Sequence, residues 1–373
     1  MKVCFVTHFS NLYGANRTML DTIVELERRG VACCVLLRYA GQLAGKLEAM
    51  GVEYAILPMR GWHHKKQNPL RTLAHALRNQ ALNRIMLGRT LRQCEKWGVD
   101  LVYSNSVTVQ CGALIAARAK LPHVWHVREF GDLDYGLYPD LGKAKLLAML
   151  KRADRVVCIS HSICRHYGLE QNPNSVVIYN GPACGDEPLN WAVGDRPKFT
   201  FLMVGLIHEP KGQFMVLEAY KKFRRRAGLL ARLVFVGGGQ VEALRRRIHE
   251  AGLEGELHLA GKVDDVEEHY LEADCLLMGS ENEAFGRVTV EAMAHGLPVI
   301  GYDSAGTAEI VEHERTGLLY KDEAELVSHM TRLAADRDEA KRLGLAGRKS
   351  AFESFSRERY GREIYEIVMG LEK

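Results

Sequence analysis

Two glutamates eight positions apart, Glu283 and Glu291, have the spacing in this chain that best indicates chemistry. An apolar run at 273–279 precedes them and is typical of a buried strand, whereas 288–295 has the apolar spacing of a helix. Glu283 is therefore predicted on the loop that follows a strand, and Glu291 about one and a half turns into the next helix. Backbone amides near Gly286 would face an anion at the helix start. The arrangement suits a ligand with hydroxyls at both ends and negative charge between them.

The pair alone is also consistent with two solvated carboxylates, because Glu is common. Further motifs strengthen the first interpretation: Val204-Gly205 with Lys211-Gly212, Val236-Gly237-Gly238-Gly239, Ile178-Tyr179-Asn180-Gly181, Tyr13-Gly14-Ala15-Asn16-Arg17, and the segments 294–300, 306–311 and 317–319. With the run from Glu283 to Glu291, they resemble the motifs of the GT4 family of retaining glycosyltransferases, the glycosyl transferases group 1, over nearly the full chain. This resemblance implies an α/β protein with the GT-B fold, in which two Rossmann-like domains face a central cleft and the C-terminal helix crosses back to the N-terminal domain.

The resemblance implies a role for each residue of the predicted donor site. Glu291 would accept hydrogen bonds from the ribose hydroxyls, and Glu283 would bind hydroxyls of the donor sugar, since a carboxylate offers two acceptor oxygens to a diol. Lys211 would neutralise the leaving diphosphate. The predicted donor-binding set is Gly14, Ala15, Gly205, Lys211, Gly237, Gly238, Glu283, Ala284, Phe285, Gly286, Arg287, Val288 and Glu291. A solvated lysine in a turn is the alternative for Lys211, and the nucleophile of a two-carboxylate glycosidase is the alternative for Glu283.

Residues of the first half complete the expected site. His126 ends a strand where many GT4 relatives place a histidine against the donor sugar, so it joins Glu283 and Lys211 as a catalytic candidate, although a strand-end histidine is more often structural. Gly14 and Ala15 are expected in a loop before a helix at 18–29, where glycine allows close approach to the diphosphate. Asn16 and Arg17 are candidates for acceptor binding. No metal cofactor is implied by the family.

Two departures from the family pattern bear on the diphosphate site. Leu206 stands where the family commonly has an arginine, which leaves Lys211 as the main expected cation, and Tyr13-Gly14 stands where Gly-Gly is common.

Strand-like and helix-like segments alternate twice along the chain, which favours two parallel sheets with helices on both faces. The first set of strands is predicted at 3–7, 31–37, 54–57, 101–104, 123–127, 155–159 and 176–179, and the second at 199–204, 233–236, 257–260, 275–278 and 298–302. We expect an N-terminal acceptor-side domain at 1–183, a linker at 184–197, a nucleotide-sugar domain at 198–354 and a returning helix within 355–373.

The composition is that of a globular protein. The 373 residues are 47% hydrophobic and 26% charged, and the formal net charge of +4 is too small to favour nucleic acid as a partner. Nine dispersed cysteines without zinc spacing are interpreted as reduced core thiols, which favours the cytoplasm. The short apolar N-terminal run does not resemble a signal peptide, and a membrane-spanning run is not expected.

A basic, amphipathic segment near residues 60–92 provides the acceptor-side prediction. Its basic residues are Lys65, Lys66, Arg71, His75, Arg78, Arg89 and Arg92, beside an apolar face of Leu70, Leu73, Leu77 and Ile85. Such a helix can lie on an anionic membrane, here the inner face of the cell membrane, or it can be an ordinary solvated helix.

The expected function is transfer of a sugar from a nucleoside-diphosphate sugar, UDP rather than GDP, to a glycan or lipid-linked saccharide during surface polysaccharide synthesis. A nucleotide-sugar 2-epimerase of the same fold and a non-catalytic nucleotide- or glycan-binding relative are the alternatives.

Overall fold

The computed structural model describes residues 1–65, 69–182, 196–227, 230–263 and 265–372. The chain divides into two compact units. The first comprises Met1–Gly181 with Arg357–Lys373, and the second comprises Pro182–Ser356.

The first unit has a seven-stranded, fully parallel sheet in the order β3-β2-β1-β5-β6-β8-β9, and a separate antiparallel pair, β4-β7. Its strands are β1 (Lys2–Val6), β2 (Ala32–Leu37), β3 (Glu53–Ile56), β4 (His63–Lys65), β5 (Leu101–Ser104), β6 (His123–Val127), β7 (Leu137–Pro139), β8 (Arg155–Cys158) and β9 (Ser175–Val177). Its helices are α1 (Gly14–Arg28), α2 (Gln42–Ala49), α3 (Pro69–Trp97), α4 (Gln110–Ala119), α5 (Asp132–Tyr135), α6 (Lys143–Leu150) and α7 (His161–His166).

The second unit has a six-stranded parallel sheet in the order β12-β11-β10-β13-β14-β15. Its strands are β10 (Phe199–Val204), β11 (Ala231–Val236), β12 (Leu257–Gly261), β13 (Cys275–Met278), β14 (Val299–Tyr302) and β15 (Gly317–Tyr320). A 3-10 turn at Glu209–Lys211 precedes the helices α8 (Gln213–Ala227), α9 (Val241–Glu250), α10 (Glu267–Leu271), α11 (Arg287–Ala294), α12 (Ala305–Ile310), α13 (Glu323–Ala335) and α14 (Arg337–Ser354).

Both sheets consist of strands whose side chains are apolar on both faces of the sheet. Val3, Cys4, Phe5 and Val6 of β1 are all buried, as are the residues of β13, because helices cover each face of a parallel sheet. In both sheets the strand order reverses direction beside the first strand of the unit, between β1 and β5 and between β10 and β13. The loops that follow these strands form the crevice where open α/β sheets bind ligands.

The last helix, α15 (Arg357–Met369), packs on α1 of the first unit, which is the return that the fold class requires. The hydroxyls of Thr22 and Tyr360 lie 2.6 Å apart in this contact, and Tyr360 is fully buried. A side chain at Gly361 would meet Glu25 at 2.6 Å, so glycine is needed for the two helices to approach.

Several sequence-based bounds differ from the structure. Helix α1 begins at Gly14, not at residue 18, so Gly14 and Ala15 lie in its first turn; Asn16 and Arg17 both donate their amides to the Tyr13 carbonyl, which closes that turn early. Strands β4, β7 and β15 were not predicted. Most of the predicted linker, and Lys66, lie outside the described residues.

Eight of the nine cysteines lie in the described part of the chain, and all eight are buried free thiols. Within that same part, the structure contains no helix long and apolar enough to cross a bilayer.

Candidate functional site

Lys211 and Glu283 meet at the carboxyl edge of the second sheet. Lys211 follows β10 and Glu283 follows β13, and these strands are neighbours. The Lys211 Nζ lies 2.7 Å from Glu283 Oε2, and both side chains remain partly exposed, at 31% and 15%. A cation and a carboxylate thus occupy the crevice where the strand order reverses.

A second ion pair lies one turn along α11. The Arg287 Nε is 3.4 Å from Glu291 Oε1, and the Tyr270 hydroxyl donates to Glu291 Oε2 at 3.1 Å. Tyr270 is buried and stacks on His295 with ring centroids 4.9 Å apart. Glu291 is therefore fixed in orientation, while a fifth of its surface stays open to a ligand, at 19% exposure.

The predicted main-chain anion site is the start of α11. Gly286 caps α11 in the left-handed region, with φ of 91°, and its carbonyl accepts from Thr289 at 3.0 Å. The first amides of a helix have no partner within the helix and carry partial positive charge. Two cation–carboxylate pairs, Lys211 with Glu283 and Arg287 with Glu291, therefore lie on the segments before and along α11.

Phe285 and Gly306 hold the loop that carries Glu283. The Phe285 side chain is buried against Phe355, so only its backbone can face a ligand, and Ala284 is buried beside it. The Gly306 amide donates to the Glu283 carbonyl at 2.8 Å. A side chain at Gly306 would meet the Phe285 Cα at 2.6 Å, so glycine is required there. The motif at 306–311 therefore holds the loop that carries Glu283 in place.

Among the residues predicted to bind the donor, the glycines after β10 and β11 allow two loops to approach closely. A Cβ at Gly237 would lie 1.9 Å from the Gly205 carbonyl oxygen, and both residues have φ near 145°, at 149° and 144°. The Gly238 carbonyl accepts from the Ile207 amide at 2.7 Å. These contacts draw together the loops after β10 and β11. Val288 is half-buried in the first turn of α11.

Leu206, at the position of the expected arginine, is 44% exposed on the loop after β10. Its carbonyl accepts from the buried Gln213 amide at 3.0 Å, which fixes the loop without a cation. Lys211 was predicted as the main positive charge of the site, but Arg287 is a second cation beside the same backbone amides.

The predicted acceptor residue Asn16 is a support for its own loop. It is buried, accepts from the Thr7 hydroxyl at 2.9 Å, and donates to the Phe9 and Asn11 carbonyls at 3.0 and 2.8 Å. These bonds use its amide, so the structure does not offer it to an acceptor. Arg17 is exposed, and its Nε donates to the Leu12 carbonyl at 3.1 Å.

His126 lies inside the first unit and not on a ligand-accessible surface. It has no exposed area, its Nδ1 lies 2.6 Å from the Tyr103 hydroxyl, and its Nε2 is buried without a partner among the described residues. Burial, and then the Arg128 charge, hold the pKa of His126 well below its usual range, so the ring is neutral. Direct contact with a donor sugar does not fit this position, and we assign His126 no catalytic role.

The residues just after His126 form a polar group that was not predicted from the sequence. The buried Arg128 guanidinium donates to Asn105 Oδ1 at 2.8 Å and to Asn180 Oδ1 at 3.1 Å, which ties together β5, β6 and the segment after β9. Glu129 accepts from the Ser106 hydroxyl and from the Val107 amide at 2.8 Å. Burial raises the pKa of Glu129 to about 7. In the sequence, this polar group could have been found from the charged pair Arg128-Glu129, which directly follows the apolar strand β6.

Two family models match this chain. The model described as "Glycosyl transferases group 1" matches residues 193–350, and the model described as "Glycosyl transferase 4-like domain" matches residues 13–181. Together the two models extend over most of both units.

Curated relatives match parts of the chain. It is 32% identical over 170 residues to the GDP-mannose-dependent alpha-(1-6)-phosphatidylinositol monomannoside mannosyltransferase of Mycobacterium tuberculosis, a match to 43% of this chain and 44% of that protein. It is 26% identical over 231 residues to the N-acetyl-alpha-D-glucosaminyl L-malate synthase of Bacillus anthracis, covering 56% and 58%. The chain thus spans about half the length of these relatives.

A solved structure is similar over the whole chain. The Anabaena protein HepE in complex with UDP and glucose has a TM-score of 0.80 and 21% identity, with 100% of both chains covered. At that identity the likeness establishes the fold, with parallel sheets in two units.

Proposed function

This chain belongs to the GT4 family of glycosyltransferases and has the GT-B fold, and from that premise we propose that it is a retaining enzyme that transfers a sugar from a UDP-sugar to a glycan or lipid-linked acceptor. The observation that carries the proposal is the pair of cation–carboxylate contacts around the start of α11. The full-length likeness to a structure with UDP and glucose supports UDP over the GDP of the mannosyltransferase relative.

Charge develops in this reaction at two places. The bond between the sugar ring carbon and the diphosphate oxygen breaks, so negative charge grows on the diphosphate and positive charge on the ring carbon. Lys211 and the first amides of α11 stabilise the diphosphate, since oriented donors act where charge appears. Glu283, freed from Lys211, accepts hydrogen bonds from sugar hydroxyls, and Glu291 accepts from the ribose diol.

The anomeric configuration is retained when the acceptor attacks the ring carbon from the same face from which the leaving group departs. The acceptor oxygen forms the new bond to the ring carbon, and its proton passes to an oxygen of the departing diphosphate. Glu283 needs no nucleophilic role in this scheme, because the acceptor oxygen attacks the ring carbon directly. The reaction requires no metal, because Lys211, Arg287 and the amides supply the positive charge.

We further propose that the first unit binds the inner face of an anionic membrane through α3, and that the acceptor is assembled there into a surface polysaccharide. Leu70, Leu73, Leu77 and Ile85 are 57–78% exposed along this helix. Its buried side carries Asn79, Asn83 and Thr90 at 6% exposure or less, together with apolar residues such as Ala76 and Cys94. Exposed arginines flank the apolar row: Arg71, Arg78, Arg84, Arg89 and Arg92. An apolar row beside cations is the composition of an interfacial helix. The phosphatidylinositol acceptor in the mannosyltransferase relative's name supports a lipid acceptor.

The test is release of nucleoside diphosphate from UDP-glucose, UDP-N-acetylglucosamine and GDP-mannose, with and without membrane extract as the acceptor source. We expect acceptor-dependent UDP release, unchanged by a chelator, and a product whose anomeric configuration equals that of the donor by NMR. Inverted product would exclude retention, and epimerised nucleotide sugar would identify a 2-epimerase.

A further inference from the structure

A small cavity in the first unit lies at the carboxyl ends of β1, β2 and β3. Its enclosed space is about 20 Å³, the volume that also includes its mouth and open solvent is about 360 Å³, and its lining residues include Thr7, His8, Arg38, Met59, Arg60 and Thr108. None of its lining residues is acidic. The cavity therefore combines two cations with no carboxylate to neutralise them.

Arg38 and Arg60 are the cations of this cavity. Both are half-buried, and within the described ranges neither guanidinium has an ion-pair or hydrogen-bond partner. Arginines that lose water on burial are normally paired, because desolvating a charge is costly. Two unpaired guanidinium groups in one cavity are the arrangement that binds an oxyanion, since each offers parallel N–H donors.

The backbone that carries Arg60 is fixed by α3. Asn83 accepts from the Arg60 amide at 2.6 Å and donates to the Arg60 carbonyl at 3.0 Å. Asn79 donates to the Gly61 carbonyl at 3.1 Å. These buried side-chain amides of α3 position the segment that reaches the cavity.

His8 supplies an uncharged polar group on the same wall. Its Nδ1 is buried with no partner in the part of the chain that the structure describes. Burial first, then the charges of His63 and Arg38, lower the pKa of His8 to about 3. The ring is neutral at physiological pH, so the charge of the cavity comes from the arginines. Each group that shifts His8 electrostatically is cationic when charged, which is consistent with positive potential in the cavity.

We propose that Arg38 and Arg60 bind a phosphate group of the acceptor. This inference rests on the proposed function, because it specifies the chemical class of acceptor. Two guanidinium groups match the several oxygens of a phosphate better than the two of a carboxylate. The group could belong to a lipid headgroup or to a soluble phosphate ester. The same helix, α3, fixes Arg60 on its inner face and exposes the apolar row on its outer face, which favours a phosphate held near a membrane surface.

The experiment measures binding of inorganic phosphate to the full chain by calorimetry, with saturating UDP to fill the donor site. It compares wild type, Arg38→Gln, Arg60→Gln and the double variant. Arg118→Gln is the matched control, because Arg118 is an exposed arginine of α4 that does not line the cavity. We expect each cavity variant to weaken phosphate binding by about 10-fold or more, the scale of a lost charged hydrogen bond, and the control to retain it.

A second arm identifies the source of the phosphate. Flotation with phosphatidylglycerol vesicles in phosphatidylcholine is repeated with added inorganic phosphate at constant ionic strength. If phosphate competes with the vesicles and the cavity variants bind them less, the cavity takes a headgroup. If phosphate binds in the cavity without displacing the vesicles, the acceptor phosphate is a soluble ester.

Absence of phosphate binding to the wild type, or equal binding in all variants, overturns the cavity assignment. Failure of the proposed function has another signature, which is loss of UDP binding or of donor cleavage in the wild type while phosphate still binds in the cavity. Thermal unfolding and UDP affinity of each variant show whether the fold is intact.

Discussion

Lys211 and Glu283 neutralise each other at 2.7 Å although 72 positions separate them in the chain. A second cation–carboxylate pair, Arg287 with Glu291, lies one turn along α11. A nucleotide sugar would replace both pairs, because its diphosphate attracts the cations and its hydroxyls need the carboxylates. The proposed donor binding therefore exchanges these two ion pairs for contacts with the ligand.

Lys211→Ala should lower turnover about 100-fold or more, the scale of removing an oxyanion donor. The lost cation faces charge that develops on the leaving diphosphate. Steady-state UDP release checks this, with Lys222→Ala as the control, since Lys222 is an exposed lysine of the same unit paired to Glu323. Turnover near that of wild type would remove Lys211 from the mechanism.

Glu291→Ala should weaken binding of free UDP by roughly 1.5 to 3 kcal/mol, the contribution of a charged hydrogen bond to the ribose. Glu283→Ala should leave UDP affinity equal or higher, because it releases Lys211 for the diphosphate, and should impair use of the UDP-sugar. Calorimetry with UDP and kinetics with the donor separate the two. Equal loss of UDP affinity in both variants would contradict this division of roles.

Gly306→Ala should impair catalysis more than folding. The added Cβ would approach the Phe285 Cα and the Glu283 carbonyl at 2.6 and 2.8 Å, which displaces the loop that carries Glu283. Overpacking of this kind costs about 1 to 3 kcal/mol. Gly45→Ala is the control, since a Cβ at Gly45 in α2 meets no atom within 4 Å. Unchanged donor kinetics in the Gly306 variant would show that the loop tolerates the shift.

Replacing Lys65, Lys66, Arg71 and Arg78 by Gln should weaken binding to anionic vesicles by about 1 kcal/mol per charge near the surface, and added salt should weaken wild-type binding. The three of these residues that are described are exposed, so stability should not change. A variant with Lys222, Arg225, Arg245 and Arg246 replaced by Gln removes the same charge from the second unit. If both variants bind vesicles equally, or wild type does not bind at low salt, α3 is not a membrane contact.

Glu129 should make the folding free energy depend on pH. Burial raises its folded pKa to about 7, above its ordinary value of 4.5, so the folded state holds a proton that the unfolded state releases. Stability from this group is full below about pH 4.5 and decreases as pH rises to about 7, by about 3 kcal/mol in all. Glu129→Gln keeps acceptors for Ser106 and the Val107 amide and should flatten this slope in urea unfolding. An unchanged slope would show that Glu129 is ionised in the folded protein.

Much of the fold could be predicted because it depends on local patterns. Apolar runs placed β1, β5, β6, β10 and β13 within one or two residues of their observed bounds. The strands that were missed are β4 and β7, which pair with each other outside the main sheet, and the edge strand β15, which pairs with β14. Pairing between distant segments leaves little trace in the sequence of either one.

The sequence by itself determined the family motifs, the alternation of strands and helices, and the spacing that places Glu283 on a loop and Glu291 in the helix that follows it. It could do so because these features depend on residues a few positions apart. Only the tertiary structure decided which residues meet. The order of the strands brings Lys211 to Glu283. Packing buries His126, places Asn16 in hydrogen bonds within its own loop, and leaves the apolar row of α3 exposed. Those outcomes depend on long-range packing, which no local spacing specifies.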